Sequence, residues 1–388
     1  MRMKQSGIHA VLGALTADAA SLGLHWLYDT RRLNEIIVSS GYPEFLQPKH
    51  ENYEGYFGYF AHASRQSGDC SHYGESALVM LRALAGGADF SARRYETLFR
   101  LHFGPGGEFC GYIDNATRLT LENLAERDKR AVSQAAALAG GLPAEIRNTL
   151  IGKVIPYTRQ FSGEALRTPV EWAVRITYDD DALVKLAWEI ARAVDESATL
   201  CGADDDQVSA TAKLPALVAR YAGQADLPAY VETAVRVTNN NDEAVAYALP
   251  VAKLMEAAVL GDELEEAIRA GVEAAAKPVR DLLNAALQRS KEDPVATAQE
   301  LGQTCYVSEA VPVVFYLLRH SSSFIEAIRT NIRMGGDSCG RGIILGAVLA
   351  AVHGIGSTAG IPLDWLLRGR RNLEASEILA QFTRLYAG

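Results

Sequence analysis

The amino-acid sequence predicts an all-α protein, and three observations support this fold class. Apolar residues recur three and four positions apart along most of the 388 residues, which is the period of a helix with one buried face. Strand-like alternation of polar and apolar residues is scarce. Helix-start signals recur as well: Thr168-Pro169 and Asp293-Pro294 join a capping residue to a proline, and Ser323 stands three residues before Glu326.

Twelve segments carry the helical period most clearly. The first and the last of them have almost no charge and place small residues four apart, as in Gly13 and Ala17 or Gly342 and Gly346. Small residues at this spacing allow two helix backbones to approach closely, so we expect both helices at the centre of the core. In chain order the twelve predicted helices are 7–23, 71–86, 91–103, 115–127, 181–195, 207–222, 243–259, 263–276, 279–289, 308–319, 323–334 and 340–353.

The remaining segments connect these helices. No linker and no change of composition divides the chain, so residues 1–388 are predicted to form one domain with helices packed in layers. The irregular segment 41–72 is rich in Tyr, Phe and His, and it is either a surface loop that packs its own aromatic side chains or a lid over a substrate. The acidic run 204–206 is interpreted as a solvated helix cap, and Cys201 as a structural residue.

Composition excludes several classes of function. The net charge is −9 and no basic run stands out, so nucleic-acid binding is not expected. Five widely spaced cysteines without a CxxC pair indicate reduced thiols and a cytoplasmic protein, although the apolar N-terminus superficially resembles an export signal. No uninterrupted apolar run reaches about 18 residues, so no membrane span is predicted. Neither the oligomeric state nor an organic cofactor is indicated.

Three polar clusters lie at or inside predicted helices. The segment 334–341 (MGGDSCGR) opens a helix with Asp337, which either caps that helix or binds a cation, and with Cys339 and Arg341 close behind. The segment 68–76 opens a second helix with His72 and Glu75. The segment 17–29 holds Asp18, His25 and Trp26 within apolar surroundings. Since buried polar groups need partners, we expect the three clusters to converge on one pocket.

At these residues the sequence resembles the ADP-ribosylglycohydrolase superfamily, and in particular its crystallin-J1-like branch. The resemblance spans nearly the whole chain. Residues 13–20 (GALTADAA) are similar to the family's opening helix, 25–29 (HWLYD) to a motif of the branch, and 112–117 to a segment that carries Gly-x-x-Thr. Residues 335–354, followed by Ile361-Pro362 and Trp365, are similar to the family's closing helix and tail.

The resemblance implies a single, large domain of orthogonally packed helices around two magnesium ions. It also implies an enzyme that cleaves the bond at the ribose C1″ of ADP-ribosylated groups. In this sequence the family's ligand motifs fall on 73–76 and 337–340, where Glu75 and Asp337 alone keep a carboxylate at the expected positions. Gly74, Cys339 and Gly340 replace the others. Because magnesium prefers several hard oxygen ligands, we expect at most one weakly held ion, bound by Glu75 and Asp337.

Two functions follow from this reasoning. The first is a hydrolase for an N- or O-glycosidic bond of a ribose or ADP-ribose derivative, small or protein-bound, with Glu75 or Asp337 as base and Cys339 as either nucleophile or packing residue. In it the aromatic stretch 56–60 stacks on the substrate. The second is a non-catalytic binding or structural descendant of the same fold. The side chains assigned to substrate binding are Asp18, His25, His72, Ser76, Ser338 and Arg341.

Overall fold

The computed structural model describes residues 3–86 and 89–384, with side chains up to Phe382. Nineteen α-helices and four short 3-10 turns make up the regular structure of these residues. The described part of the chain contains no β-strand, and its β-type pairing is limited to isolated bridges such as that between Leu27 and Gly58. The all-α prediction is therefore confirmed.

The helices are numbered here in chain order. Their bounds are α1 Gln5–Ser21, α2 Thr30–Ser40, α3 His72–Leu84, α4 Ala92–Phe103, α5 Asn115–Leu138, α6 Ala144–Thr158, α7 Arg167–Arg175, α8 Asp181–Glu196, α9 Leu214–Tyr221, α10 Leu227–Thr238, α11 Asp242–Leu260, α12 Leu264–Ala274, α13 Lys277–Leu287, α14 Pro294–Leu301, α15 Val307–His320, α16 Phe324–Arg333, α17 Ser338–His353, α18 Leu363–Arg368 and α19 Asn372–Arg384.

Helices α1 and α17 cross at the centre of the fold, as their small residues predict. A Cβ on Gly13 would lie 2.2 Å from the carbonyl oxygen of Gly346, and a Cβ on Gly346 would lie 2.3 Å from the carbonyl oxygen of Gly13. The two backbones therefore touch at a point where no side chain fits. Around this crossing, nearly every residue of both helices is buried.

By length and composition the segment Gln5–Leu24 is apolar enough to cross a membrane, which the sequence analysis did not detect. In the fold, 89% of its most apolar window is buried against other helices. Burial of this kind is what a core helix of a folded domain shows, and it accounts for the apolar composition.

The buried apolar residues form two clusters. The larger one surrounds α1 and α17 and extends from Met3 to Phe382. The smaller one is built by α5 to α8 and includes Ala135, Val154, Val174 and Ile190. Helix α5 joins the two, since its first half packs on the larger cluster through Leu121 and its second half lies in the smaller one.

Helix boundaries agree with the cap signals at two of three positions. Ser323 and Asp293 each accept a hydrogen bond from a backbone N–H of the first turn, as predicted. Thr168 is not a cap, because α7 begins at Arg167 and continues directly from the 3-10 turn Gly163–Leu166. The predicted helix 207–222 is a 3-10 turn, Val208–Thr211, followed by α9.

The segment 41–72 is irregular up to α3, apart from the short turn His50–Asn52. Its second half packs on residues 25–28: the backbone N–H of Tyr59 donates to the carbonyl of Trp26 at 2.9 Å, and that of Tyr28 donates to Phe57 at 3.0 Å. This contact places the aromatic segment beside the polar clusters described next.

Candidate active site

A double-glycine turn fixes the position of Asp337. Gly335 and Gly336 have φ values of +77° and +68°, a region that side chains disfavour. The turn is held by two backbone hydrogen bonds, from Gly336 to the carbonyl of Leu27 at 3.0 Å and from Trp26 to the carbonyl of Gly336 at 2.9 Å. Trp26 itself has a φ of +62°, which is strained for a bulky residue. The chain therefore holds the Trp26 segment and the turn in one rigid unit.

Asp337 is the N-cap of α17 and is fully buried. Its Oδ1 accepts hydrogen bonds from the Gly340 backbone and from His25 Nε2, both at 2.9 Å, and the hydroxyl of Tyr73 donates to Oδ2 at 2.7 Å. Burial favours a higher pKa, but these donors outweigh it and the pKa of Asp337 is lowered. Asp337 is thus a buried carboxylate with both oxygens engaged.

His25 links Asp337 to the irregular segment. Its Nδ1 lies 2.7 Å from Nε2 of His62, and its backbone carbonyl accepts the hydroxyl of Tyr53 at 2.8 Å. Burial lowers the pKa of His62 well below its usual value, so His62 is neutral and its Nε2 either donates or accepts. The predicted convergence of His25 and Asp337 is present in the structure.

His72 and Asp114 provide the unpartnered polar atoms of the site. His72 is fully buried, and neither ring nitrogen has a hydrogen-bond partner. Asp114 caps α5 through Oδ1, which accepts the Thr117 N–H at 2.9 Å, while its Oδ2 has no partner and lies 3.7 Å from His72 Nε2. Burial lowers the pKa of His72 although Asp114 acts against this, so the imidazole is neutral. Buried polar groups left in this state are the atoms that a water or a ligand would satisfy.

Aromatic rings enclose these atoms. The ring of Trp26 meets that of Tyr112 edge to face at 4.9 Å and lies 6.1 Å from His72, between ring centroids. Tyr59, from the irregular segment, lies 5.7 Å from Tyr112. Tyr59 is more than half exposed, whereas Trp26 is buried. The aromatic group thus runs from the buried polar atoms to the surface.

A buried lysine, Lys213, lies close enough to Asp114 for their charges to interact. Lys213 is 1% exposed and donates to the hydroxyl of Thr238 and, at 3.3 Å, to Oδ1 of Asn239. Burial lowers the pKa of Lys213 to about 7, although the charges of Asp114 and Asp205 oppose this shift. The interpretation of 204–206 as a solvated cap is wrong for Asp205, which is buried and accepts a hydrogen bond from the Gln207 backbone at 2.9 Å.

Asp18 lies in a separate buried cluster at the start of α3. Its Oδ2 accepts the backbone N–H of Ser71 at 2.7 Å, and the Ser71 hydroxyl donates to Oδ1. Burial raises the pKa of Asp18 to about 7, against the effect of these hydrogen bonds. The thiol of Cys339 donates to the Asp18 carbonyl at 3.5 Å and is fully buried. Burial also raises the pKa of Cys339 well above its usual value, so the thiol is protonated. Burial and protonation both favour a packing role for Cys339 over that of a nucleophile.

Glu75 belongs to a different network from Asp337. Its two oxygens accept hydrogen bonds from Arg371 at 2.9 Å each, from Arg65 at 3.2 Å and from His102 at 2.9 Å. Tyr73 and Glu75 are two residues apart, about 200° around α3, so they face different surroundings. Glu75 and Asp337 therefore share no hydrogen-bond partner, unlike the convergence that the sequence analysis expects. Instead, Glu75 links α3 to Arg371, directly before α19.

The other predicted site residues have structural surroundings. Arg341 is buried and donates to Oδ1 of Asn331 at 2.8 Å and to the Gly335 carbonyl at 2.5 Å, which supports the double-glycine turn. The Ser338 hydroxyl donates to the Ser21 carbonyl at 3.5 Å, and Ser76 is buried in α3. Their assignment to substrate binding stays a prediction.

The residues present do not fit a pair of magnesium ions. A Cβ on Gly74 would lie 2.5 Å from Oδ2 of Asp18, and a Cβ on Gly340 would lie 2.4 Å from a methyl of Val208, so neither position has room for a carboxylate. In the described part of the chain, no three His, Cys, Asp or Glu side chains are arranged to hold a metal ion. The candidate site therefore lacks the carboxylates that a magnesium pair would need.

Sequence reasoning missed several residues of the site: Asp114, Tyr73, His62, Lys213, Asp205 and Asn239. Asp114 directly precedes a predicted helix, and nothing in a sequence distinguishes a buried helix cap from an exposed one. Lys213 lies inside an apolar run, 208–221, and a charged residue in such a run was the available signal.

The fold is all-α, and its candidate site is a cluster of buried carboxylate and imidazole side chains at helix N-termini. The sequence profile of the ADP-ribosylglycohydrolase family matches residues 3–387, and the chain belongs to this family. A solved structure described as an ADP-ribosylglycohydrolase-related protein complex has the same fold, with a TM-score of 0.60, 15% identity and 98% of each chain covered.

Two similar proteins are crystallins by name. Crystallin J1A of Tripedalia cystophora is 26% identical over 387 residues, covering 97% of this chain and 95% of the relative. Crystallin J1B of the same animal is 26% identical over 400 residues, with 99% and 98% covered. An uncharacterised protein of Archaeoglobus fulgidus is 31% identical over 161 residues, which are 40% of this chain and 50% of that protein.

Proposed function

We propose that this protein hydrolyses a glycosidic bond at C1 of a ribose derivative, with Asp114 and His72 as the groups that meet the substrate. Family membership supports a glycohydrolase-type activity. The observation that carries the proposal is the set of buried atoms without partners, namely Oδ2 of Asp114 and both ring nitrogens of His72. Buried polar atoms without partners cost stability, and a hydrogen bond to a polar ligand would remove that cost.

The chemistry requires one group that accepts a proton from water and one that stabilises a positively charged sugar. In the proposed reaction the bond from C1 to the leaving group breaks, a bond from the water oxygen to C1 forms, and the water proton passes to Oδ2 of Asp114. The same carboxylate faces the oxocarbenium-like transition state, where its negative charge is favourable. Asp114 is thus the general base and the electrostatic partner.

His72 positions the substrate in this scheme. Its lowered pKa keeps the imidazole neutral at pH 7, so one ring nitrogen donates and the other accepts a hydrogen bond. That pattern matches a ribose hydroxyl, which is both donor and acceptor. The ring of Trp26, 6.1 Å away, offers an apolar face for the sugar or base.

Lys213 and Asp337 support the site from two sides. Lys213 is a buried amine whose pKa burial lowers to about 7, and the charge of Asp114 opposes that shift, so the two groups lie close enough to interact. Asp337 holds Tyr73 and His25, which lie next to His72 and Trp26 respectively. These residues are positioning groups, since their polar atoms bind other protein atoms.

The activity is tested with purified protein and a panel of ribose conjugates: O-acetyl-ADP-ribose, ADP-ribosylated peptides and nucleosides, each with chelator or with added Mg²⁺. We expect release of a ribose or ADP-ribose product from one class, at the same rate in both conditions. No product from any of them would contradict the proposal, and product that forms only with Mg²⁺ would contradict the assignment of its chemistry.

A second function, a non-catalytic binding or structural role, is favoured by one observation. The crystallins J1A and J1B match almost the whole chain at 26% identity. Under this alternative the panel gives no product, yet the pocket still binds ADP-ribose or ribose. Equilibrium binding of ADP-ribose, measured by calorimetry on the wild type, distinguishes an inactive binding pocket from a pocket with no ligand.

A further inference from the structure

A second polar cavity lies between the two apolar clusters, lined by residues that do not take part in the candidate active site. Its volume is about 310 Å³, and it is formed by α4, α5, the end of α6 and the end of α8. Four arginines line it: Arg93, Arg127, Arg130 and Arg159. Asp128 is the one carboxylate among the lining residues. A cavity of this size accommodates a small metabolite.

The arginines exceed the carboxylates that neutralise them. Arg127 pairs with Glu96 at 2.7 Å and Arg93 with Asp195 at 3.0 Å, which balances these two cations.

Asp128 serves two arginines at once, Arg159 at 2.8 Å and Arg100 at 2.5 Å. Arg130 forms no ion pair within the described residues. The four lining arginines therefore share Glu96, Asp195 and Asp128, and Asp128 also pairs with Arg100 outside the lining, which leaves an excess of positive charge in a chain whose net charge is −9.

One guanidinium atom in this cavity lacks an acceptor. Nε of Arg159 is buried and has no hydrogen-bond partner, although Nη2 of the same group binds Asp128. A buried charged N–H without an acceptor is costly, and an anion in the cavity would supply one. This orphan donor is independent of the charge count and indicates the same kind of ligand.

Neutral polar groups complete the lining. Ser197, Thr199 and Gln134 face the same cavity, and the Ser197 hydroxyl donates to the Gln134 side chain at 2.8 Å. Hydroxyl and amide groups beside a cationic patch are suited to a ligand with its own hydroxyls next to its charge. Arginine, with its planar set of five donors, is the residue best adapted to the phosphoryl oxygens.

We propose that this arginine-lined cavity binds a small phosphate monoester, with the phosphoryl dianion held by Arg130 and Arg159 and the organic part held by the hydroxyls. The excess of positive charge in the lining is suited to such a dianion. The site is separate from the proposed glycosidic-bond hydrolysis, so either proposal stands if the other fails.

The test is calorimetric titration of the full-length protein at low salt with ribose 5-phosphate, inorganic phosphate and ribose. We expect saturable binding of ribose 5-phosphate that depends on Arg159, weaker binding of phosphate, and no binding of ribose that depends on Arg130 or Arg159. Arg130→Gln and Arg159→Gln should each weaken binding at least tenfold. Arg269→Gln, which removes an exposed charge from α12 away from the cavity, is the control and should bind like the wild type.

Thermal unfolding of each variant shows that its fold is retained. Three results would overturn the proposal: no saturable binding, equal affinity in Arg159→Gln and Arg269→Gln, or phosphate bound as tightly as its ester. The last result would reveal an adventitious ion only.

Discussion

Replacing Glu75 by Gln should destabilise the fold and leave the candidate active site working. The substitution keeps the shape of the side chain and removes one negative charge from a carboxylate that Arg371, Arg65 and His102 surround. The residue is almost fully buried, so water does not replace the lost charge. Arg371 would then hold an uncompensated charge at the junction of α3 and α19.

The size of the effect follows from the burial of the partners. Removing one member of a buried ion pair costs about 3–5 kcal/mol. Arg371 and Arg65 are 23% and 13% exposed, so water relieves part of this cost and we expect a loss of about 2–3 kcal/mol. With 388 residues the unfolding entropy is about 0.8 kcal/mol per kelvin, and the midpoint should fall by roughly 3 °C.

The assay is thermal and urea unfolding of Glu75→Gln beside Glu232→Gln. Glu232 forms an exposed pair with Arg236 within α10, and its replacement should cost less than about 0.5 kcal/mol. Burial would raise the pKa of Glu75, but His102 and Arg371 lower it below the unfolded value of 4.5. The stabilisation is therefore complete above that pH and disappears as the pH falls, so wild type and Glu75→Gln should converge in acid.

Equal midpoints for Glu75→Gln and Glu232→Gln would refute the structural role of Glu75. Turnover gives a second readout, because the sequence-based assignment makes Glu75 a base or a metal ligand. A fall in turnover of two orders of magnitude or more with an unchanged midpoint would restore that assignment.

Three further predictions concern the helix crossing, the thiol and the metal. Gly13→Ala should lower stability by about 1–3 kcal/mol despite the better helix propensity of Ala, whereas Gly342→Ala, whose Cβ would lie 3.3 Å from the nearest atom, should cost less in the same urea titration. Cys339→Ser should keep most of the turnover, and its near-complete loss would identify a nucleophile. Calorimetry of chelator-treated protein with Mg²⁺ should show at most one weak site. Two tight sites would contradict the conclusion that Gly74 and Gly340 leave no room for the carboxylates of a magnesium pair.

The sequence predicted the fold class because the helical period is a local property that survives in every long helix. It also indicated that α1 and α17 lie at the centre, since small residues four apart have few other uses. Shorter or more polar helices were not among the strongest patterns, including α2 and α10, and the extent of α5 beyond residue 127 depends on packing in the smaller apolar cluster.

The site was less predictable, for two physical reasons. The rotational position of a residue on its helix decides which partner it contacts. Tyr73, two positions before the expected Glu75, is the residue of α3 that contacts Asp337. Burial decides whether a cap is solvated, and Asp114 and Asp205 have the same sequence signature as exposed caps. The resemblance pointed to the segments that hold Asp337 and His25, and these two side chains are hydrogen-bonded, while the unpartnered atoms became visible only with the side chains in place.

The proposed role of Asp114 as general base is tested by the turnover of Asp114→Asn beside Asp293→Asn, on the substrate that the conjugate panel identifies. Both aspartates cap a helix through a backbone N–H at 2.9 Å, and asparagine caps equally well, so both variants should fold. They differ in that Asp114 alone has a buried oxygen without a partner. We predict a loss of roughly 10²–10⁴-fold in kcat for Asp114→Asn and none for Asp293→Asn. Equal turnover of the two variants would contradict the assignment of Asp114 as the base.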